Sequence, residues 1–257
     1  MKAPISISTG LVYRLTEDFN ERIDMLKKFQ PDGVEINFAH PQYVLDFKLS
    51  PTNEKFLKSL KFVTIHAPWR EISWGKDDLS LAVLKALNEL YLKIGAKNIN
   101  FHVPITDFNQ LTKYDFQASI ENDDYKAATP AKSVDELDDI LKNNDKLKFV
   151  FDFAHALTVY PEEIPRFLSE LGDKICAIHI SYLDKKMKDH GFLSQQNDRK
   201  LDELTKLVVA SGKPLIIESV ASNKTEVELV RQELKFLREK QNNEKDEQNR
   251  SIYRKIK

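Results

Sequence analysis

A single cysteine, Cys176, stands in 257 residues. An internal disulfide is thereby excluded, and a reducing compartment fits. Cys176 falls inside an apolar run, ICAIHISYL, which predicts a buried and inert thiol. Glycine is scarce, at seven residues, and none forms a G-x-G-x-x-G turn. That removes the phosphate-cradling turn of dinucleotide-binding folds. No apolar stretch approaches the length of a membrane-spanning helix. The N-terminal MKAPISISTGLVYR lacks the longer apolar core and small-residue cleavage site of a signal peptide, so a cytoplasmic location is expected. Charge of either sign is not in excess: 39 Lys+Arg against 40 Asp+Glu leave a net charge of −1. The net charge neither supports nor excludes a nucleic-acid partner, because a local basic face can coexist with an acidic remainder.

What the chain does have is an alternation that runs from end to end. Short apolar runs of buried-strand length alternate with amphipathic stretches at helical spacing. The first run, 5–13, is followed by a helix with Phe19, Ile23 and Leu26 on one stripe and Thr16 as its N-cap. GVEINF is a second strand and KFVTIHAP a third. A long helix then places Leu79, Val83, Leu87, Leu90 and Ile94 on one stripe, ends at Gly95, and feeds the strand in NINFHVP. FQASIEN is the fifth strand, and Ser133 with Glu136 forms a capping box on the helix after it. KFVFDFAHA, ICAIHISYL and PLIIESV complete a set of eight. Eight strand–helix units with short connections imply parallel strands and right-handed crossovers. They close into a single (β/α)8 TIM barrel. A doubly wound open sheet is the alternative, and the missing glycine-rich turn argues against it. The barrel is expected over 1–240, with the polar 241–257 as a mobile C-terminal tail.

Five of the six histidines sit at the end of an apolar run or just past one: His66, His102, His155, His179 and His190. Three carboxylates occupy similar positions, namely Glu121, Asp152 and Glu218. A ligating group at the last buried position of a strand is costly unless something pairs with it. A lone strand-end histidine is usually structural, and His40, in the loop AHPQY, is read that way. Joint occurrence changes the reading. In a barrel the C-terminal strand ends converge on one face, so these eight residues become neighbours. Imidazole and carboxylate together suit zinc, manganese or iron. Eight ligands exceed the four of one tetrahedral zinc, which predicts two or three ions with a bridging carboxylate. Asp152 and His155 would face opposite sides of an extended strand. The chain must therefore turn at Phe153–Ala154 for both to reach one centre.

These residues resemble the xylose isomerase-like TIM-barrel superfamily, which contains endonuclease IV (the family 2 AP endonucleases) and many sugar and sugar-phosphate isomerases and epimerases. The resemblance covers about residues 5 to 235. The isomerase and epimerase branch typically holds one metal with Glu, Asp, His and Glu on strands 5 to 8, and Glu121, Asp152, His179 and Glu218 match. The endonuclease branch adds histidines on strands 3 and 4, one three residues after the strand 6 aspartate, and an Asp-x-His after strand 7, giving three zincs. His66, His102, His155 and His190 match those histidines. Glu121–Asn122 and the D-x-x-H-A of 152–156 resemble endonuclease IV closely. The loop after strand 7 departs from the pattern. Tyr182 and Lys188 stand in aspartate slots, the Gly-x-Gly is absent, and Asp189 directly precedes His190. A shift of the loop by one residue would let Asp189 join His190 as a ligand.

The resemblance implies a divalent-metal enzyme, with zinc as the expected cofactor and manganese as the alternative. The leading expectation is a phosphodiester hydrolase acting on abasic DNA, in which Glu218 or Glu121 bridges the metals and orients the attacking water. The rival is a single-metal sugar or sugar-phosphate isomerase/epimerase, in which Glu121 and Glu218 are the paired acid and base. A third reading is a barrel that only binds. The partner is damaged DNA on the first reading and a small sugar or sugar phosphate on the second; a membrane is expected on neither. Glu35, ending strand 2, and Trp69, three residues past His66, are the expected substrate contacts. An aromatic at the Trp69 position helps wedge DNA open in endonuclease IV, and sugar sites use aromatic walls too.

Overall fold

The computed structural model describes residues 2–255 apart from 104, 185 and 188, with side chains described as far as 242. Eight parallel strands run in sequence order around a closed barrel, β8 pairing back onto β1. They are β1 (Ile5–Ser8), β2 (Gly33–Asn37), β3 (Phe62–His66), β4 (Ile99–Phe101), β5 (Ala118–Glu121), β6 (Lys148–Asp152), β7 (Ile175–Ile180) and β8 (Leu215–Ile217). The helices between and after them are α1 (Phe19–Lys27), α2 (Pro41–Asp46), α3 (Pro51–Ser59), α4 (Asp78–Ile94), α5 (Phe108–Leu111), α6 (Val134–Asn143), α7 (Phe153–Val159), α8 (Ile164–Glu170), α9 (Arg199–Ala210), α10 (Lys224–Val227) and α11 (Leu229–Lys255). This is a single (β/α)8 barrel. Among the described residues no helix is long and apolar enough to cross a membrane.

Strand alternation sorts the side chains into two layers. Phe149, Phe151, Ile178, Ile180, Leu215 and Ile217 belong to the main core beneath the helices. Their neighbours Val150, Ala177 and Ile216 form a separate, smaller apolar cluster. Two residues further along the same inward rows come Asp152, His179 and Glu218. The other inward rows are mostly polar: Glu35, Thr64, Asn98, Asn100 and Ser119 are all buried. Burying such groups costs free energy unless they bond to one another. They do so, through Thr64 Oγ1 to Glu35 Oε2 at 3.1 Å and Asn98 Nδ2 to Ser119 Oγ at 2.9 Å.

Local chemistry sets the element ends. Gly95 takes φ +68° at the end of α4, and its N–H reaches Tyr91 O. Ser133 and Glu136 form the expected capping box on α6. Three details differ from the sequence expectation. β1 stops at Ser8, whose Oγ accepts from Gly10 N and starts a 3-10 turn over Thr9–Val12. Asp18, not Thr16, caps α1, because its carboxylate accepts from both Asn20 N and Glu21 N. Leu79 is 41% exposed, so the buried stripe of α4 runs through Ser80, Val83, Leu84, Leu87, Leu90 and Ile94. The polar segment expected as a tail continues the backbone of α11 as far as Lys255, and its side chains beyond 242 lie outside the described residues.

Candidate metal centre

The mouth of the barrel gathers the strand ends. His66, Glu121, Asp152 and His179 belong to β3, β5, β6 and β7, while His102 and Glu218 follow directly on β4 and β8. β6 ends at Asp152 and α7 starts at the next residue, which supplies the turn that brings His155 round. Asp152 is also the N-cap of α7, accepting from His155 N at 2.7 Å. His190 comes from the loop after β7. The five imidazoles form an arc in the order His179, His66, His102, His155, His190, with successive ring centroids 5.7, 5.0, 6.2 and 5.4 Å apart.

Inside the arc lie the carboxylates. Glu121 Oε1 is 2.5 Å from His102 Nε2, and Glu121 Oε2 is 3.0 Å from His179 Nδ1 and 3.6 Å from His66 Nε2. Glu218 Oε2 is 3.2 Å from His179 Nδ1, and Asp152 Oδ2 is 3.8 Å from it. Four triads offer ligand atoms within 4.8 Å of one another: His66–His179–Glu218, His66–His102–Glu121, Glu121–Asp152–His155 and Asp152–His190–Glu218. They overlap at His66, Glu121, Asp152 and Glu218. A carboxylate has two oxygens, so such overlap suits neighbouring ions that share a ligand.

Four of the histidines are turned the same way. His66 Nδ1 meets Ala67 O at 2.9 Å, His102 Nδ1 meets Asp123 Oδ1 at 2.9 Å, His155 Nδ1 meets Asn122 O at 2.8 Å, and His190 Nδ1 meets Ser181 Oγ at 2.8 Å. A ring whose Nδ1 donates outward presents a bare Nε2 inward, which is how metal-ligating histidines are oriented. His179 is reversed. Its Nε2 meets Glu35 Oε2 at 3.2 Å, leaving Nδ1 to face the three inner carboxylates. That Nδ1 lies close to Glu121 and Glu218 but makes a hydrogen bond to neither, and Asp152 Oδ2 is likewise buried without a partner. With Nε2 bonded to Glu35, His179 Nδ1 is a bare acceptor like Asp152 Oδ2, and two buried acceptors that face one centre without a donor fit a cation ligated by both. The residues present therefore fit a metal centre.

The electrostatics agree. Burial would raise the Glu121 carboxyl, but His102 and His179 beside it hold it well below the usual range. Burial pushes the Glu218 carboxyl well above that range, and the carboxylates of Glu35, Asp152 and Glu121 push the same way against His179. Burial opposes charge on His102, yet Glu121 and Asp123 on either side raise it to about 10. Burial lowers His190 to about 4. Carboxylates crowded this closely around buried imidazoles mark a site short of positive charge, which a bound cation would supply.

Two expected residues end up in other surroundings. Asp189 lies outside all four triads: its carboxylate pairs with Arg14 and accepts from the Tyr13 hydroxyl at 3.0 Å. The reason is register. Tyr182 and Gly191 exchange two backbone hydrogen bonds, and His190 O accepts from Val220 N. With His190 fixed inward, Asp189 in the bend before it reaches the rim, where Arg14 and Tyr13 hold it. Lys188, read as standing in an aspartate slot, lies outside the described residues. Glu35 is fully buried behind His179 and bonded to Thr64, so it faces the barrel interior rather than the mouth where substrate was expected to meet it. Trp69 is at the mouth, 38% exposed, its ring 5.2 Å from that of His66 and 5.8 Å from that of His102.

Of the outer partners, Asn122 belongs to the motif quoted from the sequence, whereas Asp123, Ser181 and Asn100 were not singled out there. Asn122 serves twice, since its side chain also bridges to Asp152 N and O at 2.7 and 2.8 Å. Asn100 Nδ2 donates to Glu121 Oε2. Asp123 and Asn122 directly follow Glu121, and that adjacency was the available signal. A cavity of about 340 Å³ lies to one side, lined by Leu157, Tyr182, Asp184, Lys200 and Leu201 among others. It contains none of the converging histidines, so the chemistry belongs to the mouth.

No family model matches the chain, and no curated protein matches it. Solved structures do. A D-tagatose 3-epimerase-like protein superposes with a TM-score of 0.67 at 17% identity, over 93% of this chain and 99% of that one. Endonuclease IV from Thermus thermophilus gives 0.66 at 14%, over 92% and 98%. A xylose isomerase domain protein from Planctomyces limnophilus gives 0.62 at 13%, over 94% and 99%. The fold is thus that of the xylose isomerase-like barrels.

Proposed function

We propose that this chain is a metal-dependent phosphodiester hydrolase of the endonuclease IV kind, acting on DNA at abasic sites. The observation that supports this reading is a surplus of prepared ligands. Glu121, Asp152, His179 and Glu218 suffice for one ion, yet His66, His102, His155 and His190 are also turned Nε2-inward beside them. Zinc suits this mixture of imidazole and carboxylate. When bound, such ions would activate a water and stabilise the charge that develops on the phosphoester oxygens.

The protein's own groups divide the remaining work. Glu121 joins the His66–His102 side of the centre to the Asp152–His155 side. Glu218 faces the centre beside Asn37, whose Nδ2 is 3.4 Å from Oε1, and its burial among other carboxylates makes it a stronger base than a free carboxylate. It is the proton acceptor for the attacking water. Trp69 forms an apolar wall at the entrance, suited to stacking on a base or a sugar face.

The test is a nicking assay on a duplex with one abasic site, paired with metal analysis of the purified protein. At least two zinc ions per chain and cleavage that disappears in His66→Ala are expected. An enzyme loaded with metal that leaves the duplex intact at high concentration would sink the proposal. A second reading, a one-metal sugar isomerase or epimerase, is favoured by the convergence of Glu121 and Glu218 on His179 Nδ1 at 3.0 and 3.2 Å. Its signature is one manganese per chain and epimerase activity indifferent to His66→Ala.

A further inference from the structure

His102 is less enclosed than its neighbours in the arc, His66 and His155. It follows β4, a strand of only three residues, and so lies beyond the sheet ladder. Its side chain is 21% exposed, against 3% for His66 and 11% for His155. Neither burial nor backbone pairing fixes its ring. One contact does so from behind: Asp123 Oδ1 at 2.9 Å from Nδ1. Among the four histidines that turn Nε2 inward, only His102 has a carboxylate within hydrogen-bond distance of Nδ1; the others bond a carbonyl or a hydroxyl oxygen, with Asp152 Oδ2 standing off at 3.6 Å from His155 Nδ1. Asp123 is itself firmly set. It is 3% exposed, its Oδ2 accepts from the Thr129 hydroxyl, and its N–H donates to Ala131 O at 2.7 Å. Its only ion-pair partner among the described residues is His102.

We infer that Asp123 is the positioning residue for His102, and that it ties metal occupancy to the order of the loop 123–131. The inference rests on His102 holding metal, as proposed above. A carboxylate behind a histidine fixes its tautomer and raises its basicity as a ligand. Here it also fixes the aim of a ring that the fold leaves loose. Because the same carboxylate closes the loop through Thr129, an ion at His102 Nε2 steadies Asp123, and Asp123 steadies the loop.

The test measures zinc affinity by chelator competition, with circular dichroism to establish folding. Asp123→Ala is expected to weaken the His102-side ion about 10- to 100-fold. Asp123→Asn keeps an acceptor oxygen for Nδ1–H and should recover part of that loss, which keeps the test informative if the alanine variant is unstable. The double variant Asp123→Ala/His102→Ala should bind no more weakly than His102→Ala alone, because Asp123 acts only through His102. Hydrogen exchange over 123–131 should slow on zinc addition in the wild type and not in His102→Ala. Asp123→Ala with wild-type affinity, or a double variant with additive losses, overturns the role of Asp123 while His102→Ala still loses metal. If His102→Ala itself leaves zinc binding unchanged, both this inference and the multi-ion reading fall together.

Discussion

The two sides of the centre are held by different means. On the β3–β5 side the ligands ride on the barrel. His66 pairs in register with Asn37 of β2 and Asn100 of β4, and Glu121 is the last residue of β5. On the β7-loop side His190 rides on a loop pinned by the Tyr182–Gly191 bridge and by the rim contacts of Asp189 with Arg14 and Tyr13. Strand register positions a ligand wherever the barrel closes. A loop positions one only as well as its local ties allow. The difference teaches that one residue of register separates a ligand from a brace: His190 faces in and Asp189 faces out.

Substitutions should widen or erase this contrast. Glu121→Gln is expected to have the largest effect, because Glu121 joins two triads and its oxygens also lie closest to both His102 Nε2 and His179 Nδ1; metal analysis should show loss on both sides of the centre and activity should vanish. Next come the two histidines compared directly. His66→Ala should cost more zinc affinity than His190→Ala, since His66 serves two triads and His190 one. The reverse order, read by chelator competition, would mean that the loop side dominates. Asp189→Asn should leave the metal content unchanged and lower stability by about 1 kcal/mol or less, the scale of a half-exposed ion pair. Loss of one ion per chain in that variant would restore Asp189 to the ligand set.

The smallest effect belongs below both sides, at half-buried Cys176, whose thiol burial pushes up to about 11. Native protein at pH 8 should react with iodoacetamide far more slowly than the unfolded chain. The sign of the linked stability follows. An unfolded thiol ionises near 9 while the folded one stays neutral to about 11, so stability falls as pH rises through that window. Rapid alkylation of the native protein would place the sulfur in water.

The barrel was legible in the sequence because eight apolar runs and their helices repeat a simple period. The strand-end histidines were legible because a buried polar group stands out in an apolar run. Glu35 carried the same signal but sits one layer deeper on its strand than the mouth, and a single run does not show how far a strand reaches. Asp189 was read by spacing, whereas a β-bridge two residues away decides which way it faces. Ser181 and Asn100 were invisible, and Asp123 was marked only by its place beside Glu121, because their partners lie on other segments, 21 residues away for Asp123–His102 and Asn100–Glu121. The length of β1 was overread because the Ser8 side chain ends it through a local hydrogen bond that competes with the ladder.

Asp152 is the last residue of β6, the cap of α7 and a candidate ligand. One of its oxygens holds the helix while the other faces the centre. No linker separates the strand from the helix, so no slack absorbs an insertion there. A single added residue at this junction would rotate His155 by about 100° around the helix axis and break the cap in the same stroke. Homologues and engineered variants should therefore vary in loop length almost anywhere around this barrel before they vary between Asp152 and His155.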